Sequence, residues 1–271
     1  MWPNNADLDA LAEELLEDLD HRARRRIFAE SRGPRTVAQA YQLQRALRRV
    51  RERRGDKVVG FKIGYTSRTV RRHTAGVMGL SESVHGYLYN DESFSNNSDV
   101  DHRRLGIEGE LGVRLIDTRS NDCAEWQVAY EPIIELHAIG MDGPAGDNQG
   151  RRGLELIGTN CIHAGVVHCA ETKTGRLETI PLDAPMTVYL GGEQLEQVTL
   201  TELEVNGVYG PVGTVSWLLQ TLNAEATGDY GLVRDGTTII CSTPGGLHPV
   251  PPATQVQVEF DGLTTACVST S

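Results

Sequence analysis

Glu108 and Glu110 stand two residues apart in Leu105-Gly-Ile-Glu-Gly-Glu-Leu-Gly-Val-Arg-Leu-Ile116, a stretch that alternates like a strand. Residues at that spacing share a face, and their side chains leave the backbone about 7 Å apart. Two bare carboxylates at that separation repel by about 2–3 kcal/mol at an effective dielectric of about 20. Water on an exposed face, or a cation held between them, must offset the repulsion. Ile107, Leu111, Val113 and Leu115 supply the opposite, apolar side. Gly109 and Gly112 are expected to leave space beside the carboxylates for a ligand. Lys62 is the second chemical candidate. In Val58-Val-Gly-Phe-Lys-Ile-Gly-Tyr65 it shares a face with Gly60 and Gly64, which clears room around an ammonium. An edge-strand lysine that discourages aggregation is the competing reading. Only three of the 26 basic residues are lysine (Lys57, Lys62 and Lys173), and lysine, unlike arginine, can release its proton. A further strand, Glu131-Pro-Ile-Ile-Glu-Leu-His-Ala-Ile139, places Glu131, Glu135 and His137 on one side.

The elements that must position these groups change character along the chain. Leu8, Leu11, Leu15, Leu19 and Ala23 predict an amphipathic helix over 6–30. Thr36 with Gln39 reads as a capping box opening a second helix, with Ala40, Leu43, Leu47 and Val50 inward and Gly55 at its end. Ser67 caps a short helix that Gly76 is expected to close. Asn121 is expected to cap another, carrying Trp126. Strands are predicted at 86–89, 155–169, 186–191, 194–205, 239–241, 255–260 and 264–268, with a helix at 212–223. The glycine-rich segment 140–153 reads as a surface loop or an active-site lid. Helices first and strands later indicate an α+β fold, with a helical N-terminal part over 1–57 and a strand-rich body over 58–271.

Composition narrows the classes. The chain has 271 residues, 39% of them hydrophobic, and a mean hydropathy of -0.32. No run is long and apolar enough to span a bilayer, and acidic residues interrupt any signal-peptide pattern at the N-terminus. Five scattered cysteines read as reduced, which predicts a cytoplasmic protein without a disulfide framework. The net charge is -11. Residues 1–57 carry 13 basic against 10 acidic side chains, and the remainder 13 against 27. That acidic body argues against nucleic acid as a partner, and the Arg22–Arg26 and Arg45–Arg54 runs read as solvated or intersubunit helix faces. No G-x-G-x-x-G or P-loop element supports a nucleotide cofactor.

Taken in order, Gly60-Phe-Lys-Ile-Gly-Tyr-Thr66, Gly106-Ile-Glu-Gly-Glu-Leu111, Pro132-Ile-Ile-Glu135, Asp147-Asn148 and Val215-Ser-Trp-Leu218 resemble the fumarylacetoacetase superfamily. Within it they look most like the 2-oxopent-4-enoate hydratase and 4-oxalocrotonate decarboxylase branch, from about residue 8 to the C-terminus. The resemblance implies a mixed β-roll with one divalent cation, magnesium or manganese, held by Glu108, Glu110 and Glu135. It also implies a 2-oxo acid substrate chelated by that metal, a pocket lysine at Lys62, and substrate contacts from Gly64, Asp147 and Asn148. An all-oxygen site suits a hard cation, which would stabilise a dienolate as a Lewis acid.

The departures from the family pattern surround the metal glutamates. His137-Ala-Ile-Gly140 replaces a Ser-Arg pair, and Gln149-Gly150 follows Asp147-Asn148 in place of Ala-Ser. Tyr209-Gly210-Pro211 replaces Gly-His-Pro, and Val84 stands where an acid is expected. His85 and His137 are the new ionisable groups and are candidates for the missing acid–base function. Three readings follow, in order: a hydratase of a 2-hydroxydienoic acid, a decarboxylase of a vinylogous 2-oxo acid, and a non-catalytic partner subunit of a related pathway enzyme. The apolar faces of the N-terminal helices add an expectation of homo-oligomers.

Overall fold

A computed structural model of the chain describes all residues except 1, 4, 22, 24, 102, 104, 140–151, 226 and 271, and all of their side chains except those of 5, 6 and 75. Helices α1 (Asn5–Asp20), α2 (Arg26–Ala29) and α3 (Val37–Arg54) come first. Then follow β1 (Val58–Gly64), α4 (Arg68–Met78), β2 (Val84–Tyr89), β3 (Ser93–Phe94) and β4 (Ser98–Val100). The long strands β5 (Leu105–Asp117) and β6 (Gln127–Ala138) are the centre of the molecule. After α5 (Arg152–Gly158) come β7 (His163–Val167), β8 (Lys173–Arg176), β9 (Pro185–Leu190), β10 (Glu193–Thr199), β11 (Glu204–Val205) and β12 (Val208–Tyr209). Helix α6 (Gly210–Glu225) precedes β13 (Thr238–Ile240), β14 (His248–Pro249), β15 (Gln255–Phe260) and β16 (Leu263–Ser269).

The fold is α+β, with its helical part first and two mixed sheets after it. The larger sheet runs β2-β1-β13-β5-β6-β7-β3, with β14 also on β5 and β8 on β6. The smaller runs β10-β9-β15-β16-β4. Their facing sides form the core: Ile107, Leu111 and Val113 of β5 share it with Met186 and Val188 of β9 and Val256 and Val258 of β15. The apolar side expected of the central strand is therefore the inner side, and the carboxylates point the other way.

The glycines of this region serve packing. A Cβ on Gly109 would stand 2.7 Å from Val188 and 3.3 Å from Val258, so this residue lets the second sheet close down on β5. One on Gly112 would meet Ile133 at 2.9 Å, and one on Gly60 would sit 2.0 Å from the carbonyl oxygen of Thr238. The expected ligand space at 60, 109 and 112 is thus taken by neighbouring chain. Gly64 differs: its nearest contact is Val84 at 3.4 Å, and it lines a cavity.

The helical part departs from its prediction in one place. The helix expected over 6–30 stops at Asp20, because the Asp18 carboxylate accepts hydrogen bonds from both the backbone N–H and Nε of Arg26 and pulls the chain into a turn. Helix α3 begins as expected, with Thr36 Oγ1 accepting from Gln39 N–H, and ends at left-handed Gly55. Its Leu43, Ala46, Leu47 and Val50 pack on Leu8, Ala12, Leu15 and Leu16 of α1. Its other side meets the body, where Gln44 Nε2 donates to the carbonyls of His85 and Ile157 at 2.8 and 3.0 Å.

Three further local readings change. Helix α4 passes through Gly76 and ends before Gly79, which takes the left-handed conformation. Asp122, not Asn121, caps the single turn at Cys123–Glu125, its side chain accepting from Ala124 N–H. Residues 152–158 are helical, so the strand expected from 155 begins at His163, and Gly153 belongs to α5. Among the described residues no helix is long and apolar enough to cross a membrane, and all five cysteines are free.

Candidate metal centre

Strands β5 and β6 pair antiparallel with Glu108 opposite Glu135, Gly106 opposite His137, and Glu110 opposite Ile133. On one face of a pleated pair, directly opposed residues and their diagonal neighbours are within reach of each other. That register therefore gathers Glu108, Glu110, Glu135 and His137 into one lattice. One ligand atom from each lies within 4.8 Å of all the others. Glu110, Glu135 and His137 are 1%, 0% and 3% exposed, while Glu108 is partly accessible.

Lys62 reaches the same group from β1. Its ammonium is ion-paired with Glu135 Oε1 and donates to the Cys161 carbonyl at 3.3 Å. His163 Nδ1 sits 2.6 Å from the same carboxylate oxygen. Two donors thus hold Oε1 of Glu135, and its Oε2 is left without a hydrogen-bond partner. Glu110 Oε2 and both ring nitrogens of His137 are likewise buried and unpartnered. His137 Nε2 approaches Glu108 Oε2 to 2.9 Å without the alignment of a hydrogen bond.

The charge states follow from these contacts. Burial pushes the Glu135 carboxyl up, but Lys62 and then His137 outweigh it and hold the group well below the usual carboxylate range. Burial also raises Glu108, and His137 beside it brings the net shift below the ordinary value. Glu110 has no such partner: burial, reinforced by Glu135 and Glu108, lifts it well above the ordinary value. Burial alone would drive Lys62 toward neutrality, and Glu135 reverses this, keeping the ammonium charged.

Orphaned buried oxygens and an orphaned imidazole nitrogen are what a cation would satisfy. Donors around one ion lie at most two bond lengths apart, about 4.2 Å for magnesium and up to about 5.2 Å for calcium. The observed 4.8 Å fits a single divalent ion with slight closure for the smaller metals. Three carboxylate oxygens and one imidazole form a hard-to-borderline donor set.

A cavity of about 720 Å³ opens over this floor. Lys62, Gly64, Glu108, His137 and Cys161 line its base, Val70, His73 and Met78 of α4 one wall, and Glu196, Val198, Glu202 and Leu247 another. Sequence reasoning placed His85 here, but the structure turns it away. His85 pairs with Ile63, whereas Gly86 pairs with Lys62, so the pleat sends the imidazole to the far face. There it stacks on Tyr41 with ring centroids 4.8 Å apart and its Nε2 lies 3.2 Å from Glu225 Oε1. Glu131 shares the face of Glu135 but meets His168 instead, at 2.9 Å. Asp147 and Asn148 lie outside the described residues. His163 and Glu196 were missed: the pairing of β6 with β7 brings in the first, and Glu196, on β10, lines the cavity beside His248.

No family model matches the chain, and no curated protein matches it in sequence. Solved structures match its fold. 4-Oxalocrotonate decarboxylase from Pseudomonas putida G7, complexed with magnesium and adipate, aligns with a TM-score of 0.79 at 20% identity over 98% of each chain. The same enzyme complexed with calcium and acetate aligns at 0.77, again at 20% identity over 98% of each chain. Fumarylpyruvate hydrolase from Pseudomonas aeruginosa, in complex with Mn2+ and pyruvate, aligns at 0.55 and 14% identity over 78% of this chain and 88% of its own. The chain therefore shares the fold of these solved enzymes, in a sequence far from theirs.

Proposed function

We propose that the chain is a divalent-metal-dependent lyase that acts on a 2-oxo acid or its 2-hydroxydienoic tautomer. The observation that carries this reading is the convergence of Glu108, Glu110, Glu135 and His137 beside a buried, charged Lys62 at the base of a ligand-sized cavity. Those four groups would hold the cation, and with an imidazole among them manganese is favoured over magnesium. The bound ion supplies Lewis acidity toward the 2-oxo and carboxylate oxygens of the substrate. Lys62 contributes a fixed positive charge against an enolate oxygen and can deliver a proton when carbon is protonated. Burial of Glu110 and Glu135 keeps bulk water from competing for those oxygens.

Hydration is the first reaction to test. Among the described lining residues the outer walls carry Glu196 and Glu202, and the base carries the committed Lys62. His73 is the one basic side chain on those walls, with its Nδ1 against the Thr69 carbonyl at 2.9 Å. Such walls favour an uncharged substrate tail, and a vinylogous acid that loses carbon dioxide must bring a second carboxylate there. Decarboxylation is the second reading, supported by the likeness over 98% of both chains to 4-oxalocrotonate decarboxylase. The test is turnover by the Mn2+-loaded protein of 2-hydroxypenta-2,4-dienoate against 4-oxalocrotonate, following loss of the diene absorbance and release of carbon dioxide separately. Turnover of the first alone supports hydration, and carbon dioxide from the second supports decarboxylation. No turnover of either, with no Mn2+ bound, favours a partner subunit.

A further inference from the structure

Beside His163 lies a second and smaller cavity, of about 160 Å³. His163, Glu92 and Arg51 line it, with Asn160, Thr159 and the apolar edge of α1. The His163 side chain is fully buried, and its Nε2 has no hydrogen-bond partner. Glu92 Oε2, also buried and unpartnered, lies 3.6 Å from that nitrogen. The gap is too long for a direct hydrogen bond and too short for a water held at two normal hydrogen-bond lengths, so the carboxylate stands directly behind the ring. Arg51 closes the far end. Its guanidinium pairs with Glu92, with Asp56 at 2.8 Å and with Asp91 at 3.0 Å, and lies 3.8 Å over the Tyr89 ring.

We propose that His163 is a positioning residue for Glu135, backed by Glu92 and, through it, by Arg51. This rests on the reading of the four-group cluster as a metal centre. The argument is geometric. A carboxylate held at one oxygen by a single donor can swing about that contact; Glu135 Oε1 takes two, the Lys62 ammonium and the His163 Nδ1–H, from different directions along the sheet. Oε2 is thereby turned toward Glu108, Glu110 and His137 and freed for a cation. Through Arg51 the brace ends on helix α3, so the helical part contributes to metal affinity without touching the metal.

Mn2+ titration of the purified full-length chain, followed by the loss of the free-ion electron paramagnetic resonance signal, tests this. His163→Ala is expected to weaken Mn2+ binding about 10–100-fold. His163→Asn, which keeps a donor toward Glu135, is expected to recover part of that loss, and Glu92→Gln to show a smaller one. Far-UV circular dichroism and thermal melting identify variants that stay folded, and Glu92→Gln keeps the test open if His163→Ala does not. Equal affinity in wild type and a folded His163→Ala, or no difference between Ala and Asn at 163, overturns the positioning role. Failure of the wild type itself to bind Mn2+ overturns the metal-centre reading instead.

Discussion

The arginines of the helical part and the acids of the candidate metal centre show two opposite treatments of charge. Arg49 and Arg53 share Asp9, Arg53 also reaches Glu13 at 3.1 Å, Arg54 meets Asp20 at 2.7 Å, and Arg32 pairs with Glu14. These guanidiniums are all near half exposed, and each has its acid. Among the described residues, the arginines of the Arg45–Arg54 run are largely paired within the chain. At the candidate metal centre, three of four groups are almost wholly buried and several of their polar atoms have no partner. Exposed matched pairs contribute little, about 0–1 kcal/mol each. Buried unmatched groups cost stability, so their persistence points to something they do rather than something they hold together.

Breaking the buried side should have the largest effect. Glu135→Ala leaves the Lys62 ammonium buried without its partner, and a loss of about 3–5 kcal/mol in denaturant unfolding is expected, together with loss of Mn2+ binding. A variant as stable as wild type would show that the pair carries no such strain. Glu110→Gln separates cost from use. The group is pushed toward its neutral form in the folded chain, so the amide should unfold within about 0.5 kcal/mol of wild type while Mn2+ affinity falls at least about tenfold. Equal Mn2+ affinity would remove Glu110 from the ligand set. His137→Gln replaces the imidazole with a harder oxygen donor. Competition titrations should show the preference for Mn2+ over Mg2+ shrinking by several-fold, and an unchanged ratio would place His137 outside the coordination sphere.

The exposed side should respond least. Arg32→Ala is expected to cost under about 1 kcal/mol, and less in high salt. Burial raises Asp9, but hydrogen bonds from Arg49 and Arg53 leave its folded value below the ordinary 3.8. A hydrogen bond from Arg32 likewise leaves Glu14 below 4.5. Both therefore stabilise the fold fully above those ordinary values, and the contribution is lost as pH falls through the lower folded ones. The protection of α1 amides, with exchange normalised to the intrinsic rate at each pH, should fall in that acid range. Unaltered protection there would mean that the helix is held by its leucines alone.

The fold class and the carboxylate strand were legible because both are periodic: Ile107, Leu111, Val113 and Leu115 alternate with the acids, and Leu43, Leu47 and Val50 mark α3. Glu108, Glu110 and Glu135 were found from the strand spacing and the resemblance together, and the structure brings them within reach of one ion. His85 was misplaced because a one-residue step on β2 decides which face it takes, and that register is set by pairing with β1. His163 carried no local signal, since it meets Glu135 only through the irregular β6–β7 pairing. Gly109 and Gly112 looked like room for a ligand because a sequence does not say which neighbour comes close. The stop of α1 at Asp20 depended on a side chain reaching eight residues ahead to Arg26.

The place of β13 in the large sheet has a consequence for how the protein is made. β13 lies between β1 and β5, pairing parallel with one and antiparallel with the other, although it is synthesised long after both. At ordinary translation rates the nascent chain waits about ten seconds or more between β1 and β13. During that interval the inner edges of β1 and β5 stand open, and open edges recruit strands from other chains. Pairing of segments so distant is also slow once the chain is complete. Shielding of those two edges by a chaperone should therefore govern the yield of soluble protein more than any change in the helices. A chain cut short before β13 would carry every acid and imidazole of the candidate site and still lack the strand that joins the lysine to the carboxylates.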